Sequence, residues 1–338
     1  MAALVLQLLL MLLVILAASE LFTNALEHLG ARLGISEGVT GSLFAAVGTA
    51  LPETMVPLLA LAAGTANARV NAEIGTGAIL GAPLMLSTLS TFLMAAAVLP
   101  RRGLLGRLRP ERSGLVRDLN FFIAAFVVAC AAMLLPNHDR AVRAGLALSL
   151  VLLYFFYMWL TLRASRGLVA DGHGTQAAAA MLLSRTGLPV NLLTIIAQLA
   201  CATALLIAGA KGFIGGIEGV SQLLRISPLV LSLLVIPIAT ELPEKVNSIL
   251  WVRRGKDTLA MGNITGAMVF QGTLLPAIGI VATPWEARPE VLGGVVITLL
   301  AAAWLRIVAR RGGIPLWAPL INGALYVFYV GLALLPRQ

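Results

Sequence analysis

A chain of 338 residues that is 59% hydrophobic and only 12% charged, with a mean hydropathy of +0.95, has the composition of a polytopic membrane protein, since soluble domains carry about twice that charge fraction. The net charge of +9 does not point to nucleic acid, because the arginines cluster in short loops between apolar runs, as the positive-inside rule expects. Cys130 and Cys201 both lie in apolar runs and suggest neither a disulfide framework nor a thiolate metal site.

Ten spans are expected, at 3–31, 38–63, 71–98, 116–136, 142–161, 190–221, 228–252, 258–281, 291–309 and 315–335. Each reaches the roughly 20 residues needed to cross the hydrocarbon, which leaves no length for a separate soluble domain. The first span lacks a basic n-region and runs directly into a further helical pattern, Leu21–Leu33, so it reads as a retained helix rather than a signal peptide. Numbering the loops by alternation puts sixteen basic residues on one side, from Arg32 to Arg311, and six on the other: Arg69, Arg140, Arg143, Arg225, Arg288 and Arg337. Lys211 and Lys245 fall within spans. The basic side should be cytoplasmic and both termini outside, in a bacterial inner membrane.

The most polar stretch, from Arg163-Ala-Ser-Arg166 to Asp171-Gly-His173-Gly-Thr-Gln176, divides the spans five and five. The expected organisation is a first five-helix repeat at 1–161, a cytoplasmic linker at 162–189, with room for a short interfacial helix, and a second repeat at 190–338. An odd number of spans per half inverts the second half relative to the first, as in many secondary transporters. The fold class is therefore all-α, ten transmembrane helices in two inverted five-helix repeats.

Short motifs carry the same repeat. Gly48-Thr49-Ala50-Leu51-Pro52-Glu53 returns 191 residues later as Ala239-Thr240-Glu241-Leu242-Pro243-Glu244. At the same offset, Leu33-Gly34-Ile35-Ser36 matches Leu224-Arg225-Ile226-Ser227, and Gly75-Thr76-Gly77-Ala78-Ile79-Leu80 lines up with Gly266-Ala267-Met268-Val269-Phe270-Gln271. A carboxylate in a membrane span is expensive and needs a partner or a task. A proline beside it removes a helix donor, and Pro243 should free the carbonyl near Ala239. Thr240, Glu244 and Ser248 are spaced to share one helix face. Asn263 and Gln271 follow on the next span, among the small residues Gly262, Gly266 and Gly272, which permit close approach. In the first half the corresponding candidates are Thr49, Glu53 and Thr76, with Pro52 in the place of Pro243. The set of carboxylate, hydroxyl, amide and backbone oxygens suits a hard cation, Ca²⁺ or Na⁺.

Each candidate has a plainer reading. Prolines often only kink membrane helices, glycines pack, and threonines bond their own backbone. That reading is weakest for Glu53 and Glu244, which are mid-span and paired by the repeat. Glu241 and Lys245 stand at i,i+4 in the favourable order for an ion pair. They either hold the helix or place an ammonium close enough to modulate Glu244. Glu20 and Glu218 are candidates for an access route, and Glu73 should sit near a span end. His28, His138 and His173 are scattered and form no metal cluster. Phe155, Phe156, Tyr157 and Trp159 read as lipid-facing or interfacial.

With these motifs in hand, the chain resembles the calcium/cation antiporter superfamily, whose best-known members are sodium/calcium exchangers. The carrying residues are Gly48–Glu53 and Ala239–Glu244, the Gly34–Ser36 and Ile226–Ser227 elements before them, and Gly262-Asn263-Ile264-Thr265-Gly266. The resemblance implies ten spans in two inverted repeats. It makes Glu53 and Glu244 the central calcium ligands and Thr49 and Thr240 suppliers of oxygen, and it gives Thr76 a part in holding sodium. The sequence departs from the family pattern at Ala50 and Glu241, at Ala267, and at Leu80 and Gln271, so several oxygen ligands are missing while Glu241 adds a carboxylate.

The implied function is secondary antiport of Ca²⁺ against Na⁺, with the first and sixth spans sliding against the rest. The alternatives are Ca²⁺/H⁺ exchange, since desolvation can raise a buried glutamate's pKa, and a non-transporting scaffold or sensor that retains the fold. No Walker-type loop is present, so neither a nucleotide nor another cofactor is expected. An enzyme is the least supported class. The expected cation site comprises Glu53, Glu244, Thr49, Thr240, Thr76, Asn263, Gln271 and Glu241, and the expected partners are inorganic cations and the lipid bilayer.

Overall fold

The structure, a computed structural model, describes residues 2–32, 51–63, 66–136, 139–169, 180–309 and 313–334. Among these, helices α1 (Ala2–Arg32), α2 (Leu51–Ala63), α3 (Ala68–Met85), α4 (Thr91–Arg102), α5 (Arg112–Met133) and α6 (Arg140–Val169) precede the polar stretch. Helices α7 (Leu192–Leu224), α8 (Pro228–Thr240), α9 (Leu242–Arg253), α10 (Asp257–Ala282), α11 (Pro289–Ala309) and α12 (Trp317–Leu334) follow it. Apart from one ribbon of two-residue strands, the fold is an all-α bundle.

Eight helices are long and apolar enough to cross a membrane among the described residues, α3 and α4 counting as one continuous rod. One of the ten expected spans takes another form, and another is described only in part. Of 38–63, the described part is the 13-residue α2. The expected span 228–252 is broken at Glu241 into α8 and α9, of 13 and 12 residues. A helix of that length covers about 20 Å against a hydrocarbon thickness of about 30 Å. Pro243 sits at the start of α9, where the missing N–H breaks no helical bond.

Large apolar side chains cover the outside. Leu6, Leu9 and Leu13 of α1 and Phe155, Phe156 and Trp159 of α6 are exposed, as a lipid-facing surface requires. Tyr157 differs from the expectation for its neighbours. It is buried and its hydroxyl donates to Asp118 at 3.0 Å.

α1 and α7 run antiparallel along most of their length. Gln7 Nε2 donates to the Gly212 carbonyl at 2.8 Å, and Gln198 Nε2 donates to the Leu21 carbonyl at 2.9 Å. Gly209, Gly216 and Gly219 of α7 lie against Ile15, Leu8 and Leu4 of α1 in that order, a side-chain-free stripe that lets the helices close.

α3 packs on α8 just as closely. A Cβ at Gly77 would come 2.6 Å from the Leu229 carbonyl oxygen, and one at Gly81 would meet the Leu233 carbonyl and, at 2.7 Å, Pro237 Cγ. Between α3 and α4 the rod takes one π-helical turn, Leu86–Ser90. Such a turn disturbs the regular hydrogen-bond ladder, and Asn322 of α12 donates to the Ser87 carbonyl there at 2.7 Å.

Polar ties lie at the two ends. At one, Arg107–Leu108 pairs antiparallel with Ile314–Pro315, and Arg102 forks onto Asp257 at 2.7 and 2.8 Å. At the other, Arg288 reaches Glu73 at 2.8 Å, and buried Arg143 donates to the carbonyls of Ile280, Thr283 and Pro284 at the end of α10. Glu73 thus stands near a span end, as expected. The two groups of arginines fall on opposite ends, in agreement with the alternating loop tally.

Within the expected linker at 162–189, α6 continues to Val169. The linker's far end docks on the α1–α7 pair. The Leu182 and Leu183 amides donate to Asn24 Oδ1 and Gln198 Oε1 at 2.9 and 2.8 Å. Among the described residues of this stretch, a 3₁₀ turn forms at Leu183–Thr186.

Candidate cation site

The site gathers on α2, on the α8–α9 break and on α10. Glu53 of α2 is only 3% exposed. Gln271 of α10 donates to its Oε1 at 3.4 Å, across 218 positions of sequence. Glu241 occupies the break itself and Glu244 the first turn of α9, where free backbone N–H groups and the helix dipole favour a carboxylate. Both are buried. Glu244 and Glu241 lie within electrostatic reach of Glu53. Three carboxylates from two distant parts of the chain therefore share one apolar interior.

Their hydrogen bonding is incomplete. Glu53 Oε2, both carboxylate oxygens of Glu244, both of Glu241 and Gln271 Oε1 have no hydrogen-bond partner among the described residues. A buried unsatisfied polar atom costs about 1–3 kcal/mol, and a charged one more. Converging unpaired oxygens of this kind fit a hard cation, which prefers carboxylate and amide oxygen. Among the described residues, no three His, Cys, Asp or Glu side chains are grouped closely enough to hold a metal by themselves. An ion here would draw its remaining oxygens from hydroxyls, amides or main-chain carbonyls.

The other expected ligands divide. Thr240 is buried and its hydroxyl donates to the Ile236 carbonyl of its own helix at 3.1 Å, leaving oxygen lone pairs free to accept. Asn263 Nδ2 bonds the Glu244 main-chain carbonyl at 3.2 Å and Ser248 Oγ at 3.0 Å, so its amide nitrogen ties α10 to α9. Ser248 is fully buried, on the face expected from its spacing to Glu244. Thr76 is buried on α3. Thr49 and the rest of Gly48–Ala50 lie outside the described residues, as do Gly34–Ser36, His138 and His173. Glu20 and Lys211 are exposed.

Lys245 is buried beside the cluster. Its Nζ donates to the Pro237 carbonyl at 2.8 Å and stands 3.5 Å from Glu241 Oε2. The sequence reading did not single out Pro237, nor a further buried acid away from this cluster, Asp118 of α5. Asp118 accepts from Tyr157 and from Thr265 of α10, at 3.0 and 2.7 Å. A carboxylate two turns into an apolar helix was the available signal for Asp118. Its partners lie on other helices and had none.

A membrane-embedded helical bundle with unpartnered carboxylates at a broken helix belongs among the ion transporters. The chain is a member of the sodium/calcium exchanger protein family, whose model matches residues 3–163 and 194–335. It is accordingly a secondary active cation antiporter and not an enzyme. Inner membrane protein YrbG of Escherichia coli (strain K12) is 26% identical over 282 residues, spanning 82% of this chain and 79% of that protein. Among solved structures, an H⁺/Ca²⁺ exchanger, CAX, superposes with a TM-score of 0.72 at 20% identity, covering 99% of this chain and 82% of the other. The sodium-calcium exchanger NCX_Mj superposes with a TM-score of 0.56 at 19% identity over the full length of both. These two likenesses concern the fold.

Proposed function

We propose that the protein exchanges Ca²⁺ against Na⁺ across a bacterial inner membrane, both ions competing for one central site built on Glu53 and Glu244. The single observation that carries this reading is the set of unpaired, fully enclosed carboxylate oxygens on those two side chains. Thr49, Thr240, Thr76, Gln271 and Glu241 supply further oxygen, while Asn263 holds α9 in place. Competition for shared carboxylates couples the two fluxes without nucleotide hydrolysis.

In this reading the chain has ten spans in two inverted five-helix repeats, 1–161 and 190–338, with both termini outside. The antiparallel α1–α7 pair supports it. Gln7 and Gln198 are 191 residues apart, and so are their acceptors Leu21 and Gly212, so each bond is the other's image under the repeat. The interruption of the family match between 163 and 194 also agrees with a connecting segment there.

A second reading, with H⁺ in place of Na⁺, is favoured by Leu80. The repeat sets Leu80 opposite Gln271, and it is an apolar buried residue that supplies no oxygen. The test is Ca²⁺ flux in proteoliposomes under separate Na⁺ and H⁺ gradients. Wild type should respond to one gradient, and E53Q and E244Q should each lose the flux. Transport that survived both substitutions would overturn the site.

A further inference from the structure

Lys245 sits unusually for the partner of a salt bridge. Its 3.5 Å separation from Glu241 Oε2 is longer than the roughly 2.7–2.9 Å of a direct ammonium–carboxylate hydrogen bond, and both Glu241 oxygens lack hydrogen bonds among the described residues. The short bond of Lys245 goes instead to the Pro237 carbonyl, in the last turn of α8. From there it is within electrostatic reach of Glu241, Glu244 and Glu53 together. A seat made of a half-helix C-terminal carbonyl and nearby carboxylates is what a monovalent cation takes at a broken membrane helix. Here a side chain fills it, and at 6% exposure it is closed off from water.

Glu241 and Lys245 also occur in one half only. Their counterparts at the 191-residue offset are Ala50 and Thr54. The added carboxylate raises the negative charge of the cluster by one and the added ammonium cancels it. Three carboxylates and one ammonium leave a formal charge of two negatives, which one divalent or two monovalent cations neutralise. Net charge left in a membrane interior is strongly disfavoured, so those two loadings are the ones suited to crossing.

We propose that Lys245 is a permanently resident cation of the transport site, taking the place of one exchangeable monovalent ion, so that two monovalent cations move for each divalent one and exchange is electroneutral. The proposal rests on the antiport reading above and specifies its stoichiometry. One Ca²⁺ leaves the site as two monovalent ions enter, and no net charge crosses the membrane. Without the ammonium the cluster carries three negatives, a third monovalent ion joins the exchange, and one net charge crosses per cycle.

The test uses the full chain in proteoliposomes, with Ca²⁺ accumulation driven by whichever monovalent gradient supports flux and the membrane potential clamped by K⁺ and valinomycin. One net charge per cycle shifts the accumulation ratio about 50-fold per 100 mV. Wild type should show no such shift. K245M should show it, and E241Q/K245M, which restores two negatives, should lose it again. A potential-dependent wild type overturns the proposal, and that arm decides even if K245M fails to fold. A K245M protein that transports without potential dependence overturns it equally. Flux that persists in E53Q and E244Q would instead overturn the underlying site assignment, so the two failures are distinguishable.

Discussion

At the scale of single residues, the site is asymmetric in a way that names its own test. Glu53 has an amide partner in Gln271, at 3.4 Å. The residue that the repeat places opposite Gln271 is Leu80, and both oxygens of Glu244 are without hydrogen bonds among the described residues. Q271L removes the one amide donor and an unsatisfied carbonyl oxygen together. Its expected effect is a loss of Ca²⁺ affinity of about 3- to 10-fold, the range for one weak polar contact, measured as the half-saturating Ca²⁺ concentration for flux. Unchanged affinity would place Gln271 outside the ligand set. Glu53 and Glu244 were legible in sequence, because a carboxylate in an apolar run is rare whatever its neighbours. The role of Asn263 was not. Its amide nitrogen serves α9 through Ser248 and a main-chain carbonyl, a contact fixed by how two helices cross.

Among elements, the α3–α8 contact is the most demanding. Gly77 and Gly81 each face backbone atoms of α8 within 3 Å, besides the side chains of Ser232 and Pro237, so a rotamer change alone cannot accommodate an added methyl. G77A and G81A should each destabilise the protein by about 1–3 kcal/mol, the usual cost of overpacking. G145A is the control. That glycine lies in α6 with nothing within 4 Å of its missing Cβ, and alanine there should be neutral or stabilising by up to about 1 kcal/mol. Thermal unfolding in detergent checks all three. Equal melting temperatures for G81A and G145A would refute the close approach. Hydropathy located every one of these helices, yet it did not place the α8–α9 break at Glu241 or the π turn at Leu86–Ser90. Each carries a tie from another helix: Lys245 to the Pro237 carbonyl and Asn322 to the Ser87 carbonyl.

Across the whole molecule, the reciprocal glutamine bonds join α1 to α7. If the halves are structural equivalents, Q7L and Q198L should cost similar amounts, about 1 kcal/mol each for a buried hydrogen bond. Gln198 has additional bonds to Asn24 and the Leu183 amide, so any excess should fall on Q198L. A larger loss in Q7L would contradict the arrangement. Chemical denaturation or thermal melting of both variants supplies the comparison. The Arg102–Asp257 fork and the two-strand ribbon tie distant parts of the chain at one end, and Glu73–Arg288 does so at the other.

The sequence by itself determined the membrane class, the positions of most of the helices, and the buried acids Glu53 and Glu244. These are local properties, set by transfer free energies that act residue by residue and by the rarity of charge in lipid. Tertiary structure alone decided which groups meet. Gln271 finds Glu53 across 218 positions, Asn263 turns to Ser248, and Asp118 is satisfied by Tyr157 and Thr265. Lys245 settles on a helix-end carbonyl short of full contact with Glu241. Such pairings follow from the packing of helices far apart in sequence, and a residue's identity and spacing do not encode the direction from which its partner arrives.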